Sequence, residues 1–252
     1  MSSIGTRSAA SYVDAATGRL ARRGTRTLET VPQRRIRLSR PDDAAIHAAF
    51  ADLRDSLDVS LDFPDDVLAE CEKAIRSPRL PEVDETAIPF VTIDPPESRD
   101  LDQALHIERR GTGTGYRVRY AIADVAAFVT PGGPMDVEAH IRGQTLYAPD
   151  GNARLYPPAL SEGAGSLLPG ETRPALVWEM EVDEAGEGTA VTVRRALVRS
   201  RAKLDYAGVQ RSLDDGTADE PLRLLCEVGT LRQGREARRG GIHPAGSRAG
   251  HR

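Results

Sequence analysis

The apolar positions recur at helical spacing in the first third of the chain and change to an alternating pattern near residue 87. Two segments, Asp42–Leu57 and Pro64–Ile75, space their apolar side chains three or four positions apart, which predicts two amphipathic helices. The side chains expected on the buried faces are Ile46, Phe50 and Leu53 in the first helix and Val67, Leu68 and Cys71 in the second. The proline-containing segment Ser77–Thr86 then predicts a linker.

Alternation of apolar and polar residues from Pro89 onwards is typical of β-strands with one buried face. The predicted strands are Phe90–Ile93, Ala104–Arg109, Tyr116–Val125, Ala175–Val182 and Ala190–Arg199. Short connections such as Gly111–Gly115 predict antiparallel pairing of neighbours. Further helices are predicted at Met135–Arg142, Asp205–Ser212 and Pro221–Arg239. The fold class is therefore α+β, with a helical N-terminal segment followed by a mainly antiparallel sheet with flanking helices.

The pattern divides the chain into four regions. Residues 1–40 are rich in Ser, Thr, Ala, Gly and Arg without sustained periodicity, which predicts a disordered basic tail. Residues 41–86 form the helical pair and linker, and residues 87–240 form the domain built on the sheet. Residues 241–252 lack apolar periodicity and are predicted to be an irregular tail.

Composition is typical of a globular protein, with 39% hydrophobic and 29% charged residues in 252. The apolar stretch Tyr120–Val129 is too short to cross a bilayer and contains Asp124, so no membrane segment is predicted. The two cysteines, Cys71 and Cys226, have no CxxC spacing, which excludes an argument for a zinc site or a disulfide framework. We expect them to be buried thiols in a reducing cytoplasm.

The formal net charge of −4 argues mildly against indiscriminate nucleic-acid binding, although a local basic face remains compatible with it. Arg199, Arg201 and Lys203 alternate along one predicted strand and are expected to share a face. That face would be either a groove that follows nucleic-acid phosphates or an ordinary solvated surface.

Three acids lie close together in the segment PFVTIDPPESRDLDQALHIE, between two predicted strands. They are Asp94, Asp100 and Asp102. Carboxylates that converge in a folded protein repel each other unless a cation neutralises them, and Mg²⁺ is commonly held by one or two carboxylates together with water and substrate phosphates. Spacing alone also fits a plain solvated turn, because Asp and Pro are ordinary turn residues.

The full string TIDPPESRDLDQAL resembles the signature of the RNB (ribonuclease II-like) family, whose members commonly read TIDPxxxxDxDDA. The resemblance continues in order through the IADV strand, a tyrosine-proline turn, the segments PPALS and SLLPGE, and VRSRAKLDYAGVQ. It covers Pro89 to Gln210, and it identifies residues 87–240 as a partial RNB catalytic domain.

The resemblance implies Mg²⁺-dependent, processive 3′-to-5′ hydrolysis of single-stranded RNA to nucleoside 5′-monophosphates, without an obligate protein partner. Asp94, Asp100 and Asp102 match family acids that hold the metal. Tyr147 matches a tyrosine that stacks near the RNA 3′ end, and Tyr206 matches one that contacts the terminal nucleotides. Without the family, either tyrosine would equally suit a core position with a satisfied hydroxyl.

Two departures from the family pattern leave a second function open. Gln103 stands where most members carry a fourth catalytic acid, and an amide brings neither a negative charge nor a base. The family domain also continues beyond this chain, so we expect premature termination or a shifted reading frame near His243. The alternative is therefore a non-catalytic RNA-binding or regulatory relic of the family. A small-molecule hydrolase using the same acids has no supporting motif.

Overall fold

A closed barrel of five strands forms the centre of the computed structural model, which describes residues 43–111 and 114–241. The described residues contain seven strands in all: β1 (Phe90–Ile93), β2 (Gln103–Arg109), β3 (Tyr116–Ala123), β4 (Leu146–Ala148), β5 (Gly151–Ala153), β6 (Thr172–Val182) and β7 (Gly188–Leu204). The barrel runs in the order β1, β2, β3, β6, β7, and β4 pairs only with β5. Four of its pairings are antiparallel, and the parallel pairing of β1 with β7 closes it.

The part of the chain that the structure describes also contains five α-helices. They are α1 (Asp43–Ser56), α2 (Asp65–Arg76), α3 (Pro134–Arg142), α4 (Tyr206–Asp214) and α5 (Glu220–Arg238). The α+β class and the mainly antiparallel sheet with flanking helices are confirmed. The tail predicted at residues 1–40, and nearly all of the tail predicted at 241–252, lie outside the described residues. No described helix has the length and apolarity needed to cross a bilayer.

The barrel interior is apolar at one end and charged at the other. Small side chains such as Ala104, Ala121, Ala175 and Ala196 are fully buried around Phe90, because a five-stranded barrel leaves little room inside. Two residues further along the same faces, the strands carry charged pairs instead. The members of this charged end are His106, Glu108, Arg117, Arg119, Glu179, Glu181 and Arg194.

Two apolar clusters hold α2, α3 and α5, and one of these clusters includes residues of the barrel strands. Leu224 and Val228 of α5 pack on Ile107 and Val182 of the sheet. A second cluster joins α2 and α3 to the turn after β3 and to the π-helix at Leu160–Ala164. Its buried members are Val67, Cys71, Ala127, Phe128, Val129, Met135 and Leu160.

Four expectations about side chains were wrong. Leu53 on α1, expected on the buried face of that helix, is 50% exposed. Leu68 on α2 is 40% exposed, because only Val67 and Cys71 point into the second cluster. Cys226 is exposed on α5, whereas Cys71 is buried as expected. The three basic residues on β7 do not share one face, because Lys203 lies on the face opposite Arg199.

Candidate active site

The acid loop, residues 94–102, connects β1 to β2 at one mouth of the barrel and is fixed at both ends. The N–H of Asp94 donates to the carbonyl of Leu204 at 2.9 Å, which continues the pairing of β1 with β7. At the other end Leu101 is fully buried, and its N–H donates to Ser166 Oγ at 2.9 Å. The carbonyl of Asp102 accepts from Ala123 N–H at 2.9 Å. The loop therefore has a defined path between two strands.

Two of the three acids converge on one small cavity. Asp94, Asp102 and Gln103 line a space of about 170 Å³ together with Tyr120 and Tyr206. That volume corresponds to roughly five water molecules at about 30 Å³ each, which is enough for a hydrated cation. Oδ2 of Asp94 is buried and has no hydrogen-bond partner in the described residues. A buried acceptor without a partner is costly, and a bound cation or water would satisfy it.

The charges at this cavity are not compensated. The pKa of Asp102 is raised, first by partial removal of its carboxyl from water and then by the negative charges of Asp94 and Asp100. Among the described residues, the charged neighbours that shift the pKa of Asp102 are both acids, and no basic side chain is among the causes. Yet residues 43–111 and 114–241 contain no ready-made group of three acid, histidine or cysteine side chains close enough to hold a metal ion. The structure thus brings repelling acids together without completing a ligand set.

Two tyrosines predicted from the family pattern lie beside these acids, although they come from different elements. Tyr147 on β4 is 73% exposed, and its pKa is raised by partial shielding from water, by the charges of Asp100 and Asp102, and by a hydrogen bond to Asp100. Tyr206 is the first residue of α4 and is 64% exposed. Asp205 caps this helix as predicted, accepting from Gly208 N–H at 2.7 Å. Both rings are open to a ligand at the acid loop.

Comparison with known proteins identifies the family to which this chain is similar. The model of the RNB domain matches residues 83–244. The chain belongs to the RNB domain family. Exoribonuclease 2 of Vibrio vulnificus (strain YJ016) is 37% identical over 142 residues, which are 56% of this chain and 21% of that protein. Ribonuclease R of Escherichia coli (strain K12) is 38% identical over 141 residues, 56% of this chain and 17% of that protein.

Solved structures show the same fold. Mycoplasma genitalium RNase R in complex with double-stranded RNA has a TM-score of 0.69 and 25% identity, covering 80% of this chain and 37% of that one. Its complex with ribose-methylated single-stranded RNA also has a TM-score of 0.69. This chain spans about a fifth of the length of the curated relatives it matches.

The position at which this RNB chain departs from the family acids has a defined contact. The hydroxyl of Tyr120 donates to Oε1 of Gln103. The amide oxygen, which is the atom that Gln103 could offer to a metal, is therefore already engaged. The pKa of Tyr120 is raised by burial and by the charges of Asp102 and Asp94. Tyr120 is a site residue that was not predicted from the sequence; its even spacing from Tyr116, which places both on the outer face of β3, was the available signal.

The three basic residues of β7 have separate environments. A register shift between Phe90 and Val91 pairs Phe90 with Ser200 but Thr92 with Lys203. Directly paired residues share a face, so this β-bulge moves Lys203 to the face opposite Arg199. Nζ of Lys203 donates to the carbonyl of Pro96 at 2.6 Å and to that of Ser98, and so holds the acid loop.

The other two basic residues lie outside the cavity. Arg199 donates to Thr172 Oγ1 at 2.9 Å, and Arg201 donates to the carbonyl of Ala87 at 3.2 Å. Both are exposed on β7 and neither lines the space between the acids. A phosphate contact by Arg199 or Arg201 stays a prediction.

Proposed function

We propose that this chain carries the acid loop and the RNA-binding tyrosines of a hydrolytic 3′-to-5′ exoribonuclease. The substrate would be single-stranded RNA, the cofactor Mg²⁺ and the products nucleoside 5′-monophosphates. The observation that carries the proposal is the convergence of Asp94, Asp102 and Tyr206 on one cavity, with Tyr147 at Asp100. A cytoplasmic location is also proposed, which the free thiols of Cys71 and Cys226 suit.

The residues present fit a magnesium ion in part. Asp94 offers a buried carboxylate oxygen without a partner, and Asp102 carries a charge that its neighbours disfavour. We propose that Asp94 and Asp102 hold the ion with Asp100 nearby, since Mg²⁺ needs only one or two carboxylates and takes its remaining ligands from water and phosphate oxygens. When bound, the ion would polarise the scissile phosphate and lower the pKa of a coordinated water. Lys203 would keep the loop carbonyls, and with them the acids, in place.

The tyrosines provide the contacts to RNA. The solvent-exposed rings of Tyr147 and Tyr206, which both follow the acid loop in the sequence, can stack on bases, at about 1–3 kcal/mol per base without sequence preference. That lack of preference suits an enzyme that removes one nucleotide after another. The Mycoplasma genitalium RNase R structures contain RNA, and we propose the same class of ligand here.

A second candidate function, RNA binding without turnover, is favoured by one specific contact. Gln103 cannot act as a base, and its amide oxygen accepts the Tyr120 hydroxyl. Replacement by the family's acid, Gln103→Asp, separates the two candidates. If the chain binds RNA without hydrolysing it, this variant should gain Mg²⁺-dependent turnover; if the chain is an active enzyme, the variant should change its rate by a modest factor.

The test of the leading proposal is an assay on uniformly labelled single-stranded RNA with and without Mg²⁺. We expect mononucleotides from the wild-type chain, loss of turnover in Asp102→Asn with nearly unchanged RNA binding, and wild-type behaviour of the control Asp55→Asn, which changes an exposed acid of α1. Unchanged turnover in Asp102→Asn would refute its metal role. RNA retention without mononucleotide release would support the second candidate, and absence of retention at low salt would exclude both.

A further inference from the structure

The hairpin of β4 and β5 that presents Tyr147 has little support of its own. Each strand has three residues, and neither joins the barrel. An isolated two-stranded hairpin is marginally stable in water, so its position depends on side-chain contacts to other elements. The orientation of Tyr147 at the acid loop therefore depends on what holds the hairpin.

Hydrogen bonds between side chains and backbone groups hold the residues that flank the hairpin. Nη1 of Arg142, the last residue of α3, donates to the carbonyl of Arg154 at 3.1 Å and to that of Ser60 at 3.0 Å. Thr145 Oγ1 accepts from the N–H of Leu155 at 3.1 Å. These bonds join the hairpin's flanking residues to the segment that follows α1, but none of them reaches the turn.

The turn of the hairpin is held by α1. Nη1 of Arg54 donates to both carboxylate oxygens of Asp150, at 2.9 and 2.8 Å. Only 4% of the Asp150 side chain and 19% of the Arg54 side chain are exposed, which is unusual for a charged pair outside a core. The Arg54 guanidinium also lowers the pKa of Asp150, and His47 Nδ1 lies 3.8 Å from Oδ2. A shielded pair of this kind defines a geometry better than a solvated one does.

We propose that the Arg54–Asp150 ion pair positions Tyr147 beside the acid loop. Helix α1, which lies more than 30 residues before the acid motif in the sequence, is thereby part of the site that receives the RNA 3′ end. The role of Tyr147 in holding RNA rests on the proposed function; the positioning of its ring by α1 does not. Arg54 and Asp150 are positioning residues, since neither lines the cavity between the acids.

The position of Tyr147 can be measured without RNA. In protein labelled with 3-fluorotyrosine, the ¹⁹F resonance of Tyr147 is assigned from its loss in Tyr147→Phe. We expect Arg54→Ala to move this resonance toward the value of free fluorotyrosine while the other tyrosine signals stay in place. Arg54→Lys should return the resonance part of the way to its wild-type position. The charge-reversed pair, Arg54→Asp with Asp150→Arg, should return it further. The matched control Arg76→Ala removes an exposed pair with Glu72 and should change nothing.

A second arm measures RNA with 2-aminopurine at its 3′ terminus, whose fluorescence reports stacking. We expect Tyr147→Ala to weaken binding at least about fivefold, Arg54→Ala to produce part of that loss, and the double variant to be no weaker than Tyr147→Ala. An unchanged Tyr147 resonance in Arg54→Ala, or equal loss of all tyrosine signals through unfolding, would overturn the positioning role. If the Tyr147 resonance moves in Arg54→Ala but the wild type does not bind RNA, the positioning role stands and the proposed function is refuted.

Discussion

The carboxylates inside the barrel and those of the acid loop are in opposite electrostatic situations. Burial alone would raise the pKa of Glu179, but hydrogen bonds and charge from Arg119 at 3.0 Å and Arg194 at 3.2 Å lower it overall. Asp102, by contrast, has acids as charged neighbours, and its pKa is raised. Glu179 is paired with arginines within the protein, whereas the charged neighbours that act on Asp102 are the acids Asp94 and Asp100.

The difference follows from how each set is positioned. Arg119 and Glu179 are direct partners in the β3–β6 register, so sheet formation itself brings opposite charges together. Asp94 and Asp102 lie at the two ends of a loop that is held by Lys203 and by backbone bonds, and no basic side chain within 43–111 and 114–241 is among the causes that shift the pKa of Asp102. Compensated charges indicate a structural role, and uncompensated charges that share a cavity indicate a binding role.

The largest effect on stability is expected inside the barrel. Glu179→Ala would leave the guanidinium groups of Arg119 and Arg194 without one of their partners, and we expect the free energy of unfolding to fall by roughly 2 kcal/mol, allowing for partial exposure. Urea denaturation measures this. The control is Glu171→Ala, whose side chain is 57% exposed and whose pair should contribute less than about 1 kcal/mol. Equal losses in both variants would remove the distinction between the two sets of acids.

A smaller loss is expected for the residue that holds the acid loop. Lys203→Ala removes the ammonium group that binds the carbonyls of Pro96 and Ser98, at a cost of about 1 kcal/mol. Hydrogen exchange should show faster exchange of the amides within the loop. Arg201→Ala, on the same strand with one exposed bond at 3.2 Å, should leave both quantities unchanged. The positioning role of Lys203 fails if loop exchange is the same in both variants.

The smallest predicted change in the free energy of unfolding is an increase, whereas the two preceding changes are decreases. Asp102→Asn removes a charge that is disfavoured first by partial removal from water and then by the neighbouring acids. It should stabilise the chain near neutral pH by at most about 0.5 kcal/mol, because solvent still reaches this side chain and screens its charge. Since the folded pKa of Asp102 is raised, the folded state binds the proton more strongly. The Asp102 contribution therefore decreases stability as pH rises from its ordinary value of 3.8 through the raised value.

Glu179 has the opposite pH dependence. Because its pKa is lowered in the folded state, its contribution to the free energy of unfolding increases as pH rises. Unfolding measured at several pH values in wild type, Asp102→Asn and Glu179→Gln should separate the two slopes. A stabilising contribution of Asp102 that grows with pH would mean that its charge is compensated after all.

Sequence periodicity predicted most of the elements, but it could not predict how the barrel closes. Strands and helices with regular alternation or helical spacing were placed to within a few residues, including β6, α3 and α5. Closure depends on parallel pairing of β1 with β7, which lie about a hundred residues apart, and no local pattern encodes such a contact. The three-residue strands β4 and β5 are too short for their alternation to be recognised.

The candidate site was predictable to different degrees. Asp94, Asp100 and Asp102 stand out from their local spacing, whereas Tyr147 and Tyr206 follow only from the family resemblance. Strand register decides which side chains are neighbours across a pair of strands, so the diagonal contact of Tyr120 with Gln103 and the new face of Lys203 required the structure. The pair of Arg54 with Asp150 spans 96 residues and has no sequence signal.

Titration of Mg²⁺ into the wild-type chain and into the double variant Asp94→Asn with Asp102→Asn tests the central claim most directly. If these acids form a cation site, Mg²⁺ at ten times its Kd should stabilise the wild type by about 1.4 kcal/mol and raise its Tm, and the variant should not respond. Equal stabilisation of both proteins, or no response of the wild type at millimolar Mg²⁺, would contradict a cation site at the acid loop.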